Sequence, residues 1–140
     1  MPRAAERRPL EQAEPDLVLT LPARAENVAV VRHAFGGLAD VMDVADQTLS
    51  DIKLAVTEAC TNVVVHAYPG RDDGPLGVRA TVEDATLTVV VSDHGRGIVP
   101  RPDSPGLGLG LPLIATLAES LELGTGPADE TEVRMTFELA

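Results

Sequence analysis

An α+β two-layer sandwich is the fold this sequence predicts, with a mostly antiparallel, mixed sheet and helices packed on one face. Three observations predict it. Short apolar runs such as Leu17–Leu21 and Val133–Leu139 are strand-like, the last alternating cleanly with polar residues. Two longer segments carry apolar residues at helical spacing. Strands and helices are segregated along the chain instead of alternating regularly as a parallel sheet requires.

The elements follow in order. Residues 1–15 mix Arg, Glu, Ala and Pro without periodicity and read as a loose tail, leaving residues 16–140 as one domain. Leu17–Leu21 lies between Pro15 and Pro22 and reads as a strand. From Ala25 to Val41, Val28, Val31, Ala34, Phe35 and Leu38 recur at helical intervals despite Gly36 and Gly37. After a loop around Asp43, a second helix runs from Asp46 or Thr48 to Tyr68, where Pro69-Gly70 stops it. Its buried stripe is Ile52, Ala55, Val56, Ala59, Val63 and Ala67. Val78–Val82 and Leu87–Ser92 form a hairpin turning near Glu83-Asp84. Leu111–Leu121 reads as a helix with Pro112 in its first turn, and Val133–Leu139 as a half-buried strand.

Composition narrows the function classes. At 140 residues the chain is long enough to bury about 68–70% of its unfolded surface. Residues are 44% hydrophobic but only 2% aromatic, so the core is aliphatic. A formal charge of -11 argues against nucleic acid or an anionic membrane as the main partner, because both need basic surfaces. Protein partners fit better. Cys60 is the single cysteine and has no internal partner for a disulfide, which points to the cytoplasm. The first residues have no apolar stretch of the secretory type, and no run reaches transmembrane length.

Two stretches carry chemistry. In Glu58-Ala59-Cys60-Thr61-Asn62, the Glu and Asn are four residues apart, so they share a helix face and can address one metal and one reacting oxygen. Glu58 taken alone reads more readily as a solvated helix glutamate. Asn62 is a poor residue inside an apolar helix and wants a polar partner. The second stretch is Asp93-His94-Gly95-Arg96-Gly97, answered by Gly106-Leu107-Gly108-Leu109-Gly110-Leu111. An Asp at a strand end either accepts a hydrogen bond from a base or closes the strand into a turn. Glycines let backbone amides approach phosphates. Neither G-x-G-x-x-G nor a Walker lysine is present.

In that order, Glu58–Asn62, Asp93–Gly97 and Gly106–Gly110 resemble the N, G1 and G2 boxes of the ATP-binding superfamily of DNA gyrase, heat-shock chaperones, histidine kinases and mismatch-repair proteins. The one-domain layout and the phrase Glu58-Ala59-Cys60-Thr61-Asn62-Val63-Val64-Val65-His66-Ala67 most resemble the anti-sigma factor serine/threonine kinases, over roughly Leu17 to Leu139. The resemblance implies the histidine-kinase-like ATPase fold, with ATP and Mg2+ as cofactors. It makes Glu58 the general base, Asn62 the magnesium ligand and Asp93 the reader of adenine. It assigns the nucleotide to Asn62, Asp93, Gly95, Gly97, Gly106, Leu107, Gly108, Leu109, Gly110 and Thr131. The segment between Gly97 and Gly106 resembles a shortened ATP lid, stiffened by its prolines. Family members often carry Gly-Thr where this chain has Glu130-Thr131. Arg96 and Arg101 are cations near the expected phosphates, or solvated loop residues. His66 matches a histidine common in the family and reads as a satisfied helix-end residue.

The implied function is a protein serine kinase in transcription regulation and stress response. It would phosphorylate an anti-anti-sigma (STAS-type) partner and sequester a sigma factor, as a homodimer, with the Arg32 region as a partner surface. Phosphorylation adds about -1.5 to -2 charge to the partner and would favour its release from an acidic protein. Two other readings are a nucleotide-dependent binding module without phosphotransfer, argued from the short lid, and a histidine-kinase catalytic domain. The second lacks a preceding helix pair with a phosphoacceptor histidine.

Overall fold

The computed structural model describes residues 14–70, 73–95 and 110–139. The chain runs β1 (Leu17–Pro22), α1 (Ala25–Met42), α2 (Asp46–Asn62), a π-helical segment (Val63–Ala67), β2 (Pro75–Glu83), β3 (Thr86–Asp93), α3 (Gly110–Leu117), β4 (Ser120–Thr125) and β5 (Thr131–Glu138). The strands form one sheet in the order β1-β2-β3-β5-β4, and every described pair is antiparallel. The expectation of a loose tail falls mostly on residues outside those described.

Because side chains alternate across a strand, register decides which residues meet the helices. Leu19 pairs with Val78, Val78 with Val91, Val91 with Val133 and Val133 with Leu123, which lays an aliphatic row across the sheet. Leu17, Ala80, Val89, Met135 and Leu121 make the adjacent row on the same face. Apart from Leu123, which is exposed at the sheet edge, both rows pack on Val28, Val31 and Phe35 of α1, on Ile52, Ala55, Val56 and Ala59 of α2, and on Ile114 of α3. Each fully buried Val or Ile contributes roughly 1.5–3 kcal/mol of apolar burial. All six residues of the stripe expected on the second helix are buried, none more than 2% exposed.

The two turns beside the helices use left-handed residues. Asp43 ends α1 at φ 55, with its amide bonded to the Ala39 carbonyl. In the β2–β3 hairpin both central residues, Asp84 and Ala85, have positive φ, 52 and 61, as a type I′ turn requires. Alanine carries a Cβ penalty of about 1–2 kcal/mol there that glycine avoids. Ala85→Gly should therefore stabilise the protein by about 1 kcal/mol, read as a higher urea midpoint at unchanged slope; a lower midpoint would refute the strained turn.

Two local expectations are corrected. The second helix is not α-helical to Tyr68, because its last turn, Val63–Ala67, is π-helical. Val63, Val64 and Val65 are β-branched, and their crowding against the preceding turn disfavours α-helix here. The helix expected over Leu111–Leu121 ends at Leu117, and Leu121 belongs to β4. Leu117 and Leu121 mimic one helical turn, yet Leu121 and Leu123 also fit the two-residue period, and pairing with Met135 and Val133 prevails.

Candidate functional site

The π-helical segment that continues α2 ends against the residues just beyond β3, with Gly95 beside the Ala67 carbonyl and the His94 amide on the Tyr68 hydroxyl, and the chemically distinctive residues lie on these two elements. Asn62 is the last residue of α2 and is only 6% exposed. Its Nδ2 is the one buried side-chain polar atom among the described residues with no hydrogen-bond partner. Leaving such a group unpaired costs about 1–3 kcal/mol, so the Nδ2 donor is poised for an acceptor from outside the chain. One turn earlier, Glu58 sits half-buried on the same helix. The helix presents both because apolar Ala55, Val56, Ala59 and Cys60 take the buried face beside them.

Asp93 closes β3 on the helix-covered side and is 2% exposed. Its Oδ1 accepts the amide of Gly95 at 3.0 Å, an Asx-type turn. Burial raises the Asp93 carboxyl above the ordinary carboxylate value, with the Gly95 amide and nearby His94 opposing. The folded state thus holds the proton more tightly than the unfolded chain. Asp93 favours folding below the unfolded pKa and loses that contribution as pH rises through the folded one. Burial thus penalises the ionised form of Asp93, a pattern found at functional carboxylates. We expect Asp93→Asn, which retains an oxygen for Gly95, to melt at an equal or higher temperature than wild type at pH 7 while losing adenine nucleotide affinity. Calorimetry showing lower stability with unchanged affinity would reverse this assignment.

Gly95 lies so close to the end of the helix that a Cβ on it would overlap the carbonyl of Ala67. Thr131 opens β5 directly opposite Asp93, so the register of two strands distant in sequence brings these residues to one face. Glu130, the departure from Gly-Thr, is a turn residue: its carboxylate accepts the Ala128 amide at 2.9 Å and folds against Gly126. Gly110 opens α3, which packs chiefly against α2, with Pro112 in its first turn. Gly97, Gly106, Leu107, Gly108, Leu109, Arg96 and Arg101 lie outside the described residues. His66 occupies the last turn of the π-helical segment, where a basic residue complements the helix terminus.

The donor set suits a magnesium-bound nucleotide. A hard cation takes amide oxygen, phosphate oxygens and water; Oδ1 of Asn62 is the atom of that kind, while its unpaired Nδ2 is a donor suited to a phosphate oxygen. No group of three or more His, Cys, Asp or Glu among the described residues would hold a metal by itself, so a cation at Asn62 would be shared with phosphates. Cys60 is fully buried and burial pushes its thiol up to about 12, which marks it as inert core.

Sequence reasoning took Tyr68 only as a helix end. It is the sole tyrosine of a chain with 2% aromatic residues, and its hydroxyl lies between the two halves of the site, accepting the His94 amide at 2.9 Å and donating to the Pro75 carbonyl at 2.6 Å.

An open antiparallel sheet under helices defines an α+β two-layer class. The sequence pattern of the histidine kinase-like ATPase domain matches residues 21–137, and the chain belongs to that family. It is 34% identical to the serine-protein kinase RsbW of Bacillus pumilus, over 77% of this chain and 78% of that one. It is 29% identical to the anti-sigma F factor of Clostridium beijerinckii, over 79% and 85%. The fold is that of a solved Mycobacterium tuberculosis protein containing RsbU and RsbW domains, with a TM-score of 0.71 at 23% identity, over 91% of this chain and 33% of that one. Among the described residues, no helix is long and apolar enough to cross a membrane.

Proposed function

We propose that this chain is an ATP- and magnesium-dependent protein serine/threonine kinase and anti-sigma factor, which phosphorylates an anti-anti-sigma (STAS-type) partner and sequesters a sigma factor in the cytoplasm. The observation that carries it is the buried, unpaired Nδ2 of Asn62, a donor for a phosphate oxygen, one turn from Glu58 on the helix whose π-helical continuation packs against the Gly95 turn of Asp93. The names of the relatives, serine-protein kinase and anti-sigma F factor, support the substrate and partner classes.

In this reading Asp93 accepts a hydrogen bond from the exocyclic amine of adenine through the carboxylate oxygen that Gly95 leaves free, and Thr131 lies beside it on β5. Gly95 keeps the turn thin enough to pass the helix end. Asn62 would hold magnesium through Oδ1, and the bound metal would neutralise charge on the phosphoryl group being transferred. Gly97, Gly106, Leu107, Gly108, Leu109 and Gly110 border the phosphates with backbone amides. Glu58 accepts the proton of the partner's hydroxyl as its oxygen bonds to the γ-phosphorus, while the bond to the β,γ-bridging oxygen breaks and ADP leaves. Transfer of this kind depends mainly on positioning and electrostatics, so a small site suffices.

The test is γ-labelled ATP with magnesium and candidate anti-anti-sigma proteins, with sigma-factor capture measured in parallel. Label on a serine or threonine of one partner, together with nucleotide-dependent capture of a sigma factor, is the expected outcome. ATP binding without label on any partner would leave a regulatory binding module instead.

A further inference from the structure

We propose that the hydroxyl of Tyr68 is a positioning group for base recognition, replacing a rung of the β2–β3 ladder and thereby holding Asp93 and Gly95 in place against the helix that carries Glu58 and Asn62. The proposal rests on the reading of Asp93 as the carboxylate that recognises adenine.

The geometry follows from strand alternation. On the β1 side, the Gly74 carbonyl accepts the Ala23 amide at 2.9 Å. Successive carbonyls of a strand point to opposite neighbours, so the Pro75 carbonyl is directed toward β3, where Leu76 pairs with Asp93 and the next residue is His94. A continued ladder would bond the His94 amide straight to Pro75. Instead the His94 amide donates to the Tyr68 hydroxyl at 2.9 Å, and that hydroxyl donates to the Pro75 carbonyl at 2.6 Å. Proline has no amide hydrogen to return, so this rung has room for only one bond, and the hydroxyl takes it.

The ring is held as firmly as the hydroxyl. A Cβ on Gly74 would overlap it, and one on Gly95 would stand 3.0 Å from its Cδ1. Tyr68 reaches this place because it directly follows the π-helical segment Val63–Ala67. One residue inserted into a helix rotates everything after it by about 100°. A purely α-helical last turn would aim the side chain elsewhere, so the π turn and the tyrosine form one device. It joins the end of α2 to the end of β3, the two parts that must act on one nucleotide.

Tyr68→Phe keeps the ring against Gly74 and Gly95 and removes only the oxygen. Affinities for ATP and GTP are measured by titration calorimetry on wild type and variant, alongside melting temperature and the KM and kcat of phosphotransfer. We expect ATP affinity to fall roughly tenfold, in line with one lost hydrogen-bonded bridge, while GTP affinity barely changes, so preference for ATP falls by the same factor. KM for ATP rises and kcat at saturation is largely kept. A merely structural hydroxyl would lower the melting temperature and leave the ATP-to-GTP ratio at its wild-type value, which overturns the proposal. Wild-type protein that binds GTP as well as ATP would instead sink the reading of Asp93, and this proposal with it.

Discussion

Replacing Glu58 with glutamine is expected to abolish detectable transfer of the γ-phosphate, by at least about 100-fold, while nucleotide remains bound as tightly as before or more so. The substitution keeps the volume and hydrogen-bonding reach of a half-buried side chain on the exposed border of α2 and removes only its capacity to accept a proton. Stability should move by no more than about 0.5 kcal/mol, as for most surface changes. Loss of a negative charge beside the expected phosphates relieves repulsion, which is why binding should not weaken. The measurement is paired: single-turnover label transfer to the partner, and calorimetric ATP binding. Wild-type transfer in the variant would remove Glu58 as the base. Loss of both binding and transfer would make it a binding residue, and the kinase would then need another proton acceptor. Asn62→Ala provides the contrast, since a ligand shared with phosphates should lose magnesium-dependent binding itself.

What was legible in the sequence is what depends on residue type and local period. Glu58 and Asn62 are four apart on a helix, and Asn62 is conspicuous as a polar residue beside an apolar stripe; the structure leaves its Nδ2 buried and unpaired. Asp93 follows a run of valines and is buried at the end of that strand. The pairing of Asp93 with Thr131 was not legible, since it depends on the register of two distant strands. The π-helical turn left no trace either. It adds a residue to a turn without disturbing the i, i+4 spacing of Glu58, Asn62 and His66 in the chain. Tyr68 was overlooked for the same reason, because its role comes from where that turn aims it. β4 was hidden by Leu117 and Leu121, whose spacing fits one helical turn, until β5 offered it a partner. Function was thus readable from side chains, whereas the devices that position them belong to backbone geometry.

Gly95→Ala should be the most damaging single methyl group in the described site. The added carbon would overlap the Ala67 carbonyl, a backbone atom at the end of the helix, so no side-chain rotation relieves it. Either the Asp93–Gly95 turn or the helix end must shift. Overpacking of this kind costs about 1–3 kcal/mol, and the shift pulls the Gly95 amide away from Asp93, with which it makes a 3.0 Å bond. We therefore expect a lower melting temperature and at least about a tenfold loss of ATP affinity. Two comparisons isolate the cause. Gly124→Ala in β4 adds the same methyl where nothing lies within 4 Å and should alter neither quantity. Gly74→Ala collides with the Tyr68 ring, a side chain, so truncating Tyr68 in the same protein should recover part of the lost stability. No such second change rescues Gly95→Ala if the obstacle is backbone. Full affinity in Gly95→Ala would mean that the helix end and the strand end are free to separate, and that the nucleotide does not need them fixed against each other.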